Sequence, residues 1–384
     1  MRSLQAVVVA PVVLPVLILG LSACAQQGHT DGPDLADPGP AAGTWTEITG
    51  SSLSGRDDPT TAYVAGELVV VGGYAGPACP PTADCNYEQP YQRDGAAYSF
   101  TTHTWRTIAE APEPVAGWPA SAVIGDRLYL LGERALLSWD SGDDAWRERP
   151  VPGATRGANL VLDGRRLILA PASDERGVQP DLVLDTRTGD WSKLPANPLA
   201  PSFDRAITAT PAGLVLTASA MDADGSPVDP SLVHAAVLPP GATAWRELPV
   251  TGQMASGPWS WTGTRLVAPT PGGADGGEVN GYGRVIPFGG RLDPVTGEWS
   301  QLPDAPTAGT RTWPLLAFAG PRMVSAGWLY DDAAGTWTRV PRPPNAPEEP
   351  GPAIWAGPRL LVYGGGTWTG GSYVRSTSAW VLSR

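Results

Sequence analysis

The sequence predicts an all-β protein built from repeated four-stranded sheets. Three observations predict it. Gly and Pro together supply 89 of the 384 residues, as 47 and 42. Long helices do not tolerate that load, since an interior Gly costs a helix about 1 kcal/mol and an interior Pro about 3 kcal/mol. Seven of the 16 Trp residues stand in near-identical contexts: Trp45, Trp105, Trp146, Trp191, Trp245, Trp299 and Trp337. Pairs of apolar runs joined by Gly-containing turns recur between them. The Trp content and the Val/Leu runs supply enough apolar surface for a large core, which excludes a disordered chain. The formal charge of −12 speaks against a nucleic-acid partner, whose phosphates need Lys and Arg to neutralise them.

The first residues read as an address. Arg2 precedes an apolar run from Ala6 to Leu21, followed by Leu21-Ser22-Ala23-Cys24. A positive start, an apolar centre and small residues at the cut make a secretory signal over residues 1–23. Pro11, Pro15 and the short run argue against a membrane-spanning helix. Leu-Ser-Ala-Cys resembles a bacterial lipobox, which implies that Cys24 is lipidated and that the protein is anchored on the extracytoplasmic side of the cell membrane. Ordinary cleavage around Ala23-Cys24-Ala25 is the competing reading. Residues 24–42 are rich in Pro, Gly and Asp with almost no large apolar group, so they form a flexible tether. The folded domain then occupies residues 43–384.

Cys79 and Cys85 lie six apart in CPPTADC. An exported protein permits a disulfide there. Its loop is small, so its entropic contribution is roughly 2 kcal/mol, enough to stiffen a surface loop. The rival reading is a metal site, which the lack of a nearby His or third Cys disfavours.

The repeat itself runs through the whole domain. Most of the seven Trp residues continue as W-x-x-[IVL], often with Pro next: WTEI, WRTI, WSKLP, WRELP, WSQLP and WTRVP. Trp146 departs, giving WRERP. Asp stands six positions earlier at Asp140, Asp185, Asp293 and Asp331, and Gly two earlier at Gly43, Gly189, Gly297 and Gly335. This is a strand, a tight turn in which Asp accepts from backbone N–H groups and Gly adopts positive φ, then a second strand. Upstream of these hairpins lie others, such as residues 63–73, 123–132, 161–171, 261–269, 318–327 and 355–365, where a Gly turn joins two apolar strands. Each repeat thus supplies four strands, here a, b, c and d, and four-stranded sheets repeated radially make a β-propeller.

These residues resemble the kelch and galactose-oxidase-like propellers over about residues 43–384. The double glycine after strand b survives at Gly72-Gly73 and Gly364-Gly365 and is degenerate in the middle repeats. Trp intervals of 38 to 60 residues suit that repeat class. Seven Trp strands imply seven blades. The last repeat has strands a, b and c but no Trp strand, whereas the segment around Trp45 is an orphan d strand. The expectation is a seven-bladed ring closed by that N-terminal strand joining the C-terminal blade, which leaves no open sheet edge.

In such blades the a–b and c–d turns share one face, and the b–c and d–a connections the other. The long segments are b–c loops: 75–94, 171–180, 220–231, 270–287 and 366–376. Long loops on a rigid scaffold carry function. Tyr87, Tyr91, Tyr282, Trp368 and Tyr373 sit in them, as ligand contacts or as packing for the loops. Arg56, Arg156, Arg205 and Arg311 each occur just before strand a, the innermost strand. One reading is a guanidinium ring at the channel mouth, suited to a carboxylate or phosphate. The other is that each Arg bonds loop carbonyls or an acid such as Asp57, Asp58 or Asp204. The Asp222–Asp229 loop lacks the EF-hand spacing for calcium.

The family likeness also invites an enzyme reading. A galactose-oxidase copper site needs His and Tyr ligands, but only His29, His103 and His234 occur, with His103 in a c–d turn on the opposite face. No metal and no cofactor are expected. The remaining catalytic option is a sugar mutarotase or epimerase, using a carboxylate and an Arg such as Glu278 and Arg284. The favoured reading is a non-catalytic binding module, a monomer, for a protein or a cell-envelope glycan.

Overall fold

The computed structural model describes residues 43–80, 83, 91–116, 120–254, 257–306 and 312–383. All regular elements among them are strands. Cys24, the signal and the tether lie outside the described residues, as do Cys85, Tyr87 and Arg311.

The strands assemble into four-stranded antiparallel sheets, seven of them among the described residues. The first sheet contains Thr60–Val64, Glu67–Val71, Gly95–Ser99 and Thr104–Ile108. The second runs from Ser121–Ile124 to Ala145–Pro150, and the third from Ala158–Asp163 to Trp191–Lys193. The fourth spans Ser202–Thr210 to Arg246–Glu247, the fifth Ser260–Trp261 to Trp299–Ser300, and the sixth Ala317–Ala319 to Thr336–Arg339. The seventh takes Ala353–Ala356, Arg359–Tyr363 and Ala379–Ser383 from the C-terminal end and Thr44–Ile48 from the N-terminal end. Within it, Trp45 pairs with Leu382 and Ile48 with Ala379. This all-β architecture is compatible with a β-propeller.

The chemistry of the repeat explains both the sheets and their junctions. In the c–d turns Asp140, Asp185 and Asp293 each accept two backbone N–H bonds through Oδ1, and Asp331 accepts one from Ala334. Gly189, Gly297 and Gly335 close three of these turns at φ of 83°, 77° and 65°. Where the repeat lacks that Gly, His103 and Asp144 still adopt φ of 58° and 48°, so the turn geometry overrides the side chain's preference.

The Trp four residues before each repeat's Pro has a second role. Trp337 Nε1 donates to the Pro303 carbonyl at 2.7 Å, Trp245 to Pro195 at 3.0 Å and Trp146 to Ala109 at 2.8 Å. Trp105 donates to Thr49 at 3.1 Å and Trp45 to Pro341 at 2.9 Å. Each acceptor lies four residues beyond the Trp of the preceding repeat. The motif therefore ties the outer strand of one sheet to the outer strand of the next. Trp191 and Trp299 do not make this bond; their indole N–H groups are buried without a hydrogen-bond partner.

The core is divided between neighbouring sheets. One cluster, with Val69, Val71, Leu128 and Leu130, lies between the first and second sheets. Others link each later pair in turn. A further cluster joins Ile48, Leu361 and Val381 of the seventh sheet to Leu68 and Val70 of the first. The a strands also touch in order from sheet to sheet, and the a strand Ala353–Ala356 touches Thr60–Val64.

Two of the expected b–c loops contain strands of their own. Ala274–Gly276 pairs with Val285–Pro287. Gly365–Thr369 pairs with Ser372–Arg375, and its outer side receives Glu349–Pro350. Short polar sequences around Gly370-Gly371 read as loop because strand pairing there depends on the neighbouring segment.

Candidate functional site

The double glycines build the site. Gly72 and Gly73 have φ of 69° and 91°, and Gly364 and Gly365 have 72° and 92°. A side chain on Gly73 would meet the Asp57 carbonyl at 2.8 Å, and one on Gly365 would collide with the Glu349 carbonyl and the Gly351 amide. Each glycine pair thus lets the segment before strand a lie directly against the end of strand b. Asp57 and Tyr74 exchange two backbone hydrogen bonds of 2.8 Å across the first contact. Asp57 and Asp58, and the equivalent segment Glu349-Pro350-Gly351 of the adjacent sheet, line one cleft.

That cleft has a volume of about 440 Å³. Tyr74 and Tyr91 line it, edge to face with centroids 5.8 Å apart. Trp368 and Tyr373 also line it, a cross-strand pair with centroids 5.1 Å apart. Asp57, Asp58 and Glu349 supply carboxylates. Tyr373 donates its hydroxyl to Glu349 Oε2 at 2.9 Å. Burial, together with the Glu349 charge, pushes the Tyr373 hydroxyl far above its ordinary value, so it remains a proton donor. Asp57 is held by Arg375, whose Nε and Nη2 reach its two oxygens at 2.8 and 2.6 Å. The same guanidinium lies against the rings of Tyr373 and Tyr74, at 5.5 and 6.0 Å, a cation–π arrangement.

A second cavity of about 350 Å³ lies beside the first and shares Asp58, Pro350 and Gly351 with it. Its lining includes Thr60, Ser121, Leu316 and Ala353, at or near the starts of four a strands. Asp58 faces both cavities and has φ of 47°. A left-handed non-glycine residue stores backbone strain that its surroundings must enforce, and such residues cluster at ligand clamps.

The expected site residues divide sharply. Tyr91, Trp368 and Tyr373 come together in the cleft, with Cys79 on its lining. Cys79 is disulfide-bonded; its expected partner Cys85 lies outside the described residues. Arg56 and Arg205 do not form an open guanidinium ring. Arg56 is 1% exposed and forks onto Asp94 at 2.7 and 3.1 Å while donating to the Gly72 carbonyl. Arg205 is 2% exposed, donates to the Pro171 carbonyl and meets both Asp181 oxygens at 3.0 Å. Their acids are Asp94 and Asp181, just before strand c, rather than Asp57, Asp58 or Asp204. Arg156 is exposed, and Arg311 lies outside the described residues. Tyr282 is partly buried, with its hydroxyl raised by burial and by the nearby Asp229 and Asp275 charges, and Arg284 is exposed.

Sequence reasoning missed Asp57, Asp58 and Glu349 as lining groups, and Tyr74 and Arg375 altogether. The available signal was the double glycine, which marks where neighbouring backbone approaches closely. Elsewhere, burial outweighs the Arg205 charge and raises the Asp181 carboxyl. Asp204, at φ 49°, is also raised, by burial and by Glu175.

No protein-family description matches the sequence, and no curated protein matches it. A solved structure described as the structure of YjhT aligns with 65% of this chain and 85% of that one, at 17% identity and a TM-score of 0.41. At that level of likeness it carries no argument about this chain.

Proposed function

We propose that this chain is a kelch-like, seven-bladed propeller that binds a glycan non-catalytically in the cleft between its first and seventh sheets. The ring reading is supported by the pairing of Thr44–Ile48 with Ala379–Ser383 and by the core cluster linking the seventh sheet to the first. In the same proposal the protein is a monomer, tethered by residues 24–42 and anchored through lipidated Cys24 outside the cytoplasmic membrane. That part rests on the sequence of the leader alone.

The observation that carries the binding role is the two aromatic pairs, Tyr74–Tyr91 and Trp368–Tyr373, that line one cleft together with carboxylates. Aromatic faces pack against the C–H faces of sugar rings, and carboxylates accept from hydroxyls, so the two groups together suit a polyhydroxylated ligand. The catalytic alternative has less support. Glu278 and Arg284 are both exposed, and neither lines the cleft among the described residues. Arg375, the guanidinium nearest the cleft, is forked onto Asp57.

The test is equilibrium binding of the full chain to neutral, cationic and anionic oligosaccharides by titration calorimetry. One class binds, and Trp368→Ala weakens that binding about tenfold or more, as loss of a buried aromatic anchor does. Failure of every class to bind, or binding unaffected by Trp368→Ala, overturns the proposal.

A further inference from the structure

The charge of the cleft identifies which glycan it takes, on the reading that it is a glycan site. Among the described residues its lining contains three carboxylates and neither Lys nor Arg. Arg375 lies beside it, with Nε and Nη2 on Asp57 and its face on Tyr373 and Tyr74. The guanidinium therefore neutralises Asp57, while Glu349 meets no Lys or Arg among the described residues.

Glu349 is the oriented acceptor. Its side chain is exposed, and the Tyr373 hydroxyl fixes Oε2. Among the described residues, Oε1 meets no protein donor, so it is available to a ligand. Trp368 stands on the same side of the cleft as Tyr373. A carboxylate with one oxygen fixed and one open, beside an indole face, attracts an ammonium group through a charge-assisted hydrogen bond and through the ring quadrupole. An anionic sugar meets repulsion at the same place.

We infer that the cleft selects a saccharide bearing a free primary amine, protonated when bound, through Glu349 and the Trp368–Tyr373 pair. This is opposite in sign to the acidic ligand that an open ring of Arg side chains would favour. The difference arises because Arg56 and Arg205 are buried against aspartates.

The experiment titrates the full chain at about pH 6 with four probes: glucosamine oligomers, their fully N-acetylated counterparts, galacturonate oligomers and hexalysine. Glucosamine oligomers bind at least tenfold more tightly than the acetylated ones, and added salt weakens them. Glu349→Gln lowers affinity for glucosamine oligomers about tenfold, the scale of one charge-assisted hydrogen bond, and narrows the gap between them and the acetylated oligomers. Raising the pH until the amine deprotonates produces a similar loss. Equal binding of the acetylated oligomers overturns the charge selection while the glycan reading stands. Tighter binding of galacturonate does the same. Binding of hexalysine alone replaces the sugar with a basic peptide and overturns both readings, as does binding of none of the four.

Discussion

Removing the anchoring side chains of Thr44–Ile48 tests how the two ends of the chain hold each other. In this strand Ile48 is 8% exposed and packs in the cluster shared by the seventh and first sheets. Trp45 donates its indole N–H to Pro341 at 2.9 Å and meets Trp313 edge-on with centroids 5.8 Å apart. Truncating a buried Ile to Ala costs about 2–5 kcal/mol. Loss of the indole hydrogen bond adds about 1 kcal/mol, and loss of the aromatic pair about 0.5–1.5 kcal/mol. The double variant Trp45→Ala/Ile48→Ala should thus lose roughly 4–7 kcal/mol, comparable with the whole stability of many domains. At about 2.1 cal/mol/K per residue, a domain of about 340 residues converts that loss into a Tm fall of about 6–10 °C. Differential scanning calorimetry reads it directly. Thr46→Ala is the control: Thr46 is exposed in the same strand, and such changes stay within about 0.5 kcal/mol. Should the double variant melt within about 2 °C of the parent, the N-terminal strand does not hold the seventh sheet and the reasoning fails. Deleting residues 43–49 outright is the stronger form of the same test, because it also bares the edge of Ala379–Ser383.

Two further outcomes follow from the ionic groups. Arg205→Met leaves Asp181 and Asp174 buried without their cation, so stability measured in denaturant at pH 8 should fall by about 3–5 kcal/mol. The Asp181 carboxyl is already raised by burial, so its protonation favours the folded state as pH falls through that raised value toward the unfolded value near 3.9; a loss in Arg205→Met that is no smaller at pH 4.5 than at pH 8 contradicts this account. The opposite sign applies to Asp140, whose carboxyl is lowered by Arg127 and by the Asp143 and Gly142 amides. Its contribution is complete above the unfolded value and disappears as pH falls through the lowered one, so the Tm difference between the parent and Asp140→Asn should close between about pH 4 and pH 2, and a difference constant with pH rejects the assignment.

The sequence by itself determined the repeating unit. Asp-x-x-x-Gly-x-Trp is legible because every part of it acts locally or at fixed spacing. Asp accepts from amides two or three residues on, Gly takes the positive φ, and Trp stands at a fixed offset from both, although the carbonyl its indole reaches lies in another repeat. Local hydrogen bonding and strand alternation suffice to read such a unit without knowing the rest of the chain. The same logic located the long b–c loops and three of the aromatic residues that line the cleft, Tyr91, Trp368 and Tyr373.

The tertiary structure decided what the charged residues do. Arg56 and Arg205 look alike in sequence to any exposed cation, yet each finds an aspartate beside strand c, 38 and 24 residues away, and is buried with it. An ion pair depends on distance in space, and sequence separation says little about that distance. Asp57 and Glu349 stand at opposite ends of the folded domain in sequence, and they share one cleft because the first and seventh sheets are neighbours. Glycine pairs at 72–73 and 364–365 let both segments approach closely. Which carboxylates then remain open to a ligand depends on where Arg375 and Tyr373 lie, and those contacts exist only once the sheets have packed.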